Sequence, residues 1–216
     1  SAAKSGIPIQ RTSLLDIINN KSSQNLLGTI GKSTNTTRSS ATDILRKNNY
    51  AKLEELSEKL DQSAEELVGT DKDSIYDKAK ESGDTTDILS DAKKMVEAYN
   101  ATMKQLKTTG GTMNEFYLKQ LKDIPAGSKE ALESIGITQS KDGSLSVDER
   151  VFQNADADTL QKVLGGEKGF ASKISFLGEH ISKNASENVV SASNRYGSNG
   201  ATYMEAFEAN KYNFFG

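Results

Sequence analysis

Leu89, Ala92, Val96, Tyr99, Met103 and Leu106 alternate spacings of three and four over nearly three heptads. That period stacks the apolar side chains on one side of an α-helix and on neither face of a strand. The stretch must therefore be helical and must lie against another apolar surface, as a coiled-coil-like seam does. Two further stretches supply such surfaces. Leu53, Leu56, Leu60, Ala64 and Leu67 form one stripe between Asp43 and Val68, with Lys52, Glu54, Glu55, Glu58 and Lys59 on the other positions. Phe170, Ile174, Leu177 and Ile181 form another, predicting a helix of about five turns from Gly169 toward Asn188. The Leu89 stripe is expected to pack against Leu53, Leu56, Leu60 and Leu67, together with the Phe170 stripe. A seam paired within one chain is core and a seam left exposed pairs between subunits; the sequence leaves both open.

Capping and breaking residues divide the rest of the chain. Thr70 with Asp73 opens a short helical segment to Glu81, before Gly83. Gly110 and Gly111 end the Leu89 helix, and Thr112-Met-Asn-Glu115 matches a capping box, predicting a helix from Met113 to about Lys122. Pro125 and Gly127 stop that helix, and Ser128 caps a short one through Ala131 and Leu132. Asp156 or Asp158 caps another through Leu160, Val163 and Leu164, ended by Gly165-Gly166.

The one β signal lies between Ile135 and Phe152. Two β-prone runs, Ile135 to Thr138 and Ser144 to Val147, flank a polar turn containing Asp142 and Gly143. Asp-Gly supplies the positive φ of a tight turn, so a hairpin is expected over 135–147. Asp148 then stands where a helix N-cap belongs. The fold class is thus mainly α: an elongated helical bundle or coiled-coil-like helices with a small β-hairpin near 135–147. Three regions follow: residues 1–42, a polar arm docking through Leu14 to Ile18 and Leu26 to Ile30; residues 43–188, the helical body; and residues 189–216, ending in Tyr203, Met204, Phe207, Tyr212, Phe214 and Phe215, with a short helix near Tyr203 to Ala209.

Composition excludes several function classes. The net charge is −3, with 26 % charged residues, so no field of one sign draws the chain to nucleic acid or an anionic membrane. There is no Cys, which removes disulfides, thiolate catalysis and Cys-ligated zinc. The single His, His180, excludes a multi-His metal site within one chain. No apolar run approaches the ~20 residues of a membrane-spanning helix. The opening SAAKSGIPIQ does not show the regions of a Sec signal peptide, and a processed chain would look the same.

Each chemistry-bearing candidate has a structural reading that fits better. With Gly143 as sixth residue of a calcium loop, Asp142, Leu145 and Glu149 fall at the fifth, eighth and twelfth positions. Thr138 and Ser140 then occupy the first and third, removing two carboxylates, and the stretch reads as a hairpin. His180, beside Glu179 at the edge of its stripe, lacks a nucleophile motif and reads as a surface or interhelical residue. Asp148, Glu149, Asp156 and Asp158 are an acidic group that reads as helix capping and dipole compensation. The run Gly165-Gly166-Glu167-Lys168-Gly169 lacks the preceding strand and the ending of a phosphate loop. No catalytic, cofactor-binding or metal residue is assigned, no small-molecule substrate is expected, and the chain is read as a non-enzyme.

The order of phrases carries more. Ala98-Tyr99-Asn100 on a long helix, Ile135-Gly136-Ile137-Thr138, Asp142-Gly143-Ser144-Leu145 and Gly169-Phe170-Ala171 follow one another between Leu89 and Asn188, nearly half of the chain. In that order they resemble the carboxyl-terminal region of the bacterial flagellar cap protein (hook-associated protein 2) family. The resemblance is to a shortened or divergent member: there is no room for the family's outer β-rich domains, its amino-terminal region is not recognisable, and YNFFG is unlike its coiled-coil tail. It implies an extracellular, oligomer-forming, helix-rich structural protein at a filament tip or cell surface, with itself or flagellin-like subunits as partners. The reading from another class is a secreted or surface binding module whose Tyr203 to Phe215 terminus recognises a partner.

Overall fold

The computed structural model describes residues 34–70 and 73–194. Most of the arm read at 1–42, with both its apolar clusters, and the aromatic terminus with its short helix near 203–209 lie outside the described residues. Among the described residues, those from Ile44 form one compact unit, and those up to Asp43 belong to another.

The chain is mainly helical. α1 spans Thr34–Glu65, α2 Ile75–Ser82, α3 Thr86–Thr109, α4 Thr112–Ala126, α5 Lys129–Ser134, α6 Glu149–Asn154, α7 Ala157–Leu164 and α8 Phe170–Asn194. Strands β1 (Ile137–Gln139) and β2 (Leu145–Val147) pair antiparallel, with Ile137 opposite Val147 and Gln139 opposite Leu145. This is the predicted hairpin with both strands trimmed: Ile135 and Gly136 form the turn that leaves α5. Gly136 is required there, at φ 81°, because a Cβ would lie 2.8 Å from the Asp148 carbonyl oxygen.

α3 is the central helix. Its whole predicted stripe is buried, but so are Ile88, Met95, Ala98 and Thr102. It packs against α2, α4, α6 and β2, so it is enclosed on several sides where a two-stranded coiled coil would bury one seam. Leu53, Leu60, Ala64 and Leu67 of the α1 region and Phe170, Ile174, Leu177 and Ile181 of α8 join it in one core cluster. The heptad seams are core, paired within this chain.

Several local expectations are corrected. Leu56 was placed on the α1 stripe, yet it is only half-buried and Ser57 takes the buried position. The cause is a close helix crossing: a Cβ on Gly178 of α8 would lie 2.9 Å from the Asp61 amide nitrogen and 3.1 Å from the Ser57 carbonyl oxygen of α1. A leucine does not fit between backbones that near. Ser57 turns its hydroxyl back to the Leu53 carbonyl at 2.6 Å, and Ser175 of α8 donates to Asp61 Oδ1 at 2.6 Å across the crossing. The α1 helix begins at Thr34, before Asp43, and ends at Glu65; α8 runs past Asn188 to Asn194.

The caps differ as well. α2 is capped by Ser74, whose Oγ accepts from the Asp77 amide at 3.2 Å and donates to the Asp77 carboxylate at 2.8 Å; Thr70 and Asp73 are not its cap. α4 has Gly111 at its N-cap, and the expected Thr112–Glu115 box does not form. Instead Asn114, buried one position earlier than Glu115, donates to the Gly110 carbonyl at 2.7 Å and ties α4 to the end of α3. Ser128 precedes α5 without a side-chain cap bond. α4 also continues past Lys122 through Pro125 to Ala126. A proline in the last turn removes only its own N–H, which would have bonded to the carbonyl of Leu121, and leaves that oxygen for another donor.

Replacing Gly178 by Ala should push α1 and α8 apart. The expected loss is about 1–3 kcal/mol of unfolding free energy, read from the urea midpoint at unchanged m-value.

Candidate functional site: the hairpin clamp

The hairpin is built locally and then held from outside. In its turn, Asp142 Oδ1 accepts from the Ser144 amide at 3.0 Å and the Ser144 hydroxyl at 2.7 Å, which holds the carboxyl below the usual carboxylate range. Gly143 stands at φ 97°, with the aliphatic chain of Lys122 lying 2.8 Å from where a Cβ would be. On the outer side, the hydroxyls of Thr138 and Ser146 pair across the strands at 2.8 Å. Ile137 and Leu145 point into the core.

Two strands of three residues do not hold together alone in water. α3 supplies the missing edge. The Asn100 side-chain amide faces the outer edge of β2 as a further strand would: its Nδ2 donates to the Leu145 carbonyl at 2.8 Å, and its Oδ1 accepts from the Leu145 amide at 2.9 Å. One residue earlier, the buried Tyr99 hydroxyl lies 2.9 Å from the Leu121 carbonyl and 3.1 Å from the Gly143 carbonyl, sharing its proton between them. The first of these is the oxygen that Pro125 leaves free. Burial pushes the Tyr99 pKa up, so the phenol stays protonated as a donor. Gln139 of β1 completes the arrangement by donating to the Lys122 carbonyl at 3.0 Å. At the rim, Lys93 of α3 meets Glu149 of α6 at 2.6 Å, both about half exposed, a pair of small energetic weight.

This geometry disposes the residues of the calcium-loop alignment for structure. Thr138 bonds across the strands, Asp142 is engaged within its turn, and Glu149 faces a lysine. Among the described residues, no group of three or more ligating side chains is placed to hold a metal ion. The acidic residues are dispersed: Asp148 caps α6 through the Arg150 and Val151 amides, Asp156 caps α7 through the Thr159 amide at 2.7 Å, and Asp158 pairs with Lys80 at 2.8 Å. Of the two capping candidates for α7, Asp156 is the cap.

His180 is half-buried and meets the exposed Phe176 ring edge-on, with centroids 4.3 Å apart. The neighbouring Glu179 bonds to Lys183 at 2.6 Å, which, with His180, holds its carboxyl below the usual range. The Gly165–Gly169 run follows helix α7 and turns against the end of α1, where the Gly166 amide donates to the Val68 carbonyl at 2.7 Å. The arrangement as a whole fixes a hairpin and two helices in one orientation.

Tyr99, Asn100 and Gln139 were not singled out for this role by the sequence. A signal exists: an amide adjoining a tyrosine on an otherwise apolar helix face, and a proline four residues after Leu121. Comparison of the chain with protein-family models, with curated proteins and with solved structures finds no match in any of the three. The fold and its clamp therefore define a class, a mainly helical body with a locked hairpin, and no family follows from the comparisons.

Asn100→Ala strips both partners from Leu145 and should cost about 2–4 kcal/mol, with the Leu145 amide losing its hydrogen-exchange protection before the core does. Thr138→Ala, on the exposed side of the same hairpin, should stay within about 0.5 kcal/mol.

Proposed function

We propose that this chain is a non-enzymatic structural protein of the flagellar-cap kind, extracellular, which assembles with itself or with flagellin-like subunits at a filament tip or cell surface. One observation carries the reading. Ala98-Tyr99-Asn100 and Asp142-Gly143-Ser144-Leu145, two of the phrases on which the resemblance to the cap family rests, bond directly to each other through Tyr99 and Asn100. They act as one structural unit, so their joint presence has a physical reason. The role this supports is a rigid corner that holds helices at a set angle, with no chemistry of its own.

Because the heptad seams are spent on the core, assembly has to use other surfaces. Exposed apolar side chains stand at Met113 (45 %) near the start of α4 and at Val190 (53 %) near the end of α8, two helices that pack on each other. A contact between molecules on this pair of helices would bury both groups. The rival reading, a surface module that binds through Tyr203 to Phe215, is favoured by α8 itself, which continues to Asn194, past Ala185, the last fully buried side chain among its described residues.

Light scattering on the full chain should report an oligomer, and Met113→Glu combined with Val190→Glu should shift it toward monomer with unchanged circular dichroism. A wild-type monomer that neither self-associates nor co-sediments with flagellin filaments overturns the assembly reading. Loss of partner binding on deleting residues 195–216, with helicity unchanged, would transfer support to the rival.

A further inference from the structure

Asp142-Gly143 is the only Asp-Gly step in the chain. Such a step is chemically labile, because glycine has no side chain to shield its nitrogen from the neighbouring carboxyl group. The Gly143 amide nitrogen attacks the Asp142 side-chain carboxyl carbon; the amide proton and the carboxyl hydroxyl leave together as water, and a succinimide ring closes. A water molecule then opens the ring at either carbonyl. One opening restores aspartate, and the other leaves isoaspartate, with the main chain rerouted through the side-chain carboxyl carbon.

We propose that Asp142-Gly143 is a latent isomerisation site that the hairpin clamp holds closed, so that isoaspartate forms when the hairpin leaves α3. Both reacting groups are restrained. The Gly143 amide, the attacking group, donates to the Ser140 carbonyl at 2.9 Å. The Asp142 carboxylate, the group attacked, is bound by the Ser144 amide and hydroxyl through Oδ1. Those bonds also keep the carboxyl ionised, whereas the leaving hydroxyl requires the neutral acid. Gly143 is buried, its carbonyl lies 3.1 Å from the Tyr99 hydroxyl, and Lys122 covers its α-carbon. Nitrogen and carboxyl carbon cannot swing together without breaking these contacts.

The consequence is one-way. Isoaspartate adds one backbone atom to the turn, so Gln139 can no longer stand opposite Leu145 while Leu145 stays paired to Asn100. A hairpin that has opened long enough to isomerise does not dock again in register.

The test is peptide mapping for isoaspartate at position 142 in the full chain, incubated at neutral pH and physiological temperature. Native wild type should accumulate it at least about tenfold more slowly than the same chain unfolded in urea, since reaction then awaits local opening. Equal rates in the two conditions overturn the proposal, whatever any variant does. Asn100→Ala and Tyr99→Phe should each raise the native rate toward the urea value while helicity by circular dichroism is retained. If exchange at the Leu145 amide shows the hairpin open in either folded variant and the rate does not rise, the proposal also fails.

Discussion

A row of polar side chains on α3 sets the position of nearly everything around it. Tyr99 bonds to the backbone of α4 and of the turn, Asn100 to β2, and Thr102 and Gln105 to the Leu56 and Asn49 carbonyls of α1. Apolar packing is tolerant of small rotations and slides, because dispersion and water exclusion have no fixed direction. A hydrogen bond to one particular carbonyl is not tolerant, and a buried donor left without it costs about 1–3 kcal/mol. The apolar stripe of α3 therefore draws the helices together, and the polar row decides at which angle and register they stop.

The α1–α8 crossing imposes a second constraint that depends on the first. Gly178 lets α8 approach the α1 backbone to a distance no side chain would permit, and Ser175 reaches Asp61 only because of that approach. The crossing in turn fixes where the Leu56 carbonyl stands, and this is the group that Thr102 of α3 must find. Close packing at one face and directional bonding at another thus constrain the same helix, which is why Ser57, and not a leucine, fills the buried position.

What could be read from the sequence follows from the range over which each signal acts. The stripes of α3 and α8 were legible because burial imposes a period on consecutive residues, and Asp148 and Asp156 were legible because a cap acts within three residues of itself. The capping box at Thr112 was not, since Asn114 offers α4 a tie to Gly110 that the local pattern does not weigh. Pro125 was read as a helix stop because proline breaks helix interiors; in the last turn it costs one bond, and Tyr99 replaces that bond from another helix. The clamp itself joins residues forty-five positions apart. No periodicity carries such a pairing, and Asn100 in isolation looks like one more polar residue on an amphipathic helix.

The same division bears on what the molecule can do. The apolar face of α3 is spent on the core, and the side chains it leaves exposed, Ser90, Lys93, Lys94 and Glu97 among them, are polar. The surface ion pairs Lys52–Glu55, Lys119–Asp123 and Lys183–Glu179 join neighbours on one helix and are too exposed to hold two molecules together. Association strong enough to build a filament tip would have to bury apolar area. With the heptad seams spent on the core, such area remains at the helix ends around Met113 and Val190, where apolar groups stay in water. The area that the proposed assembly would bury is thus set apart from the bonds that hold the centre in shape.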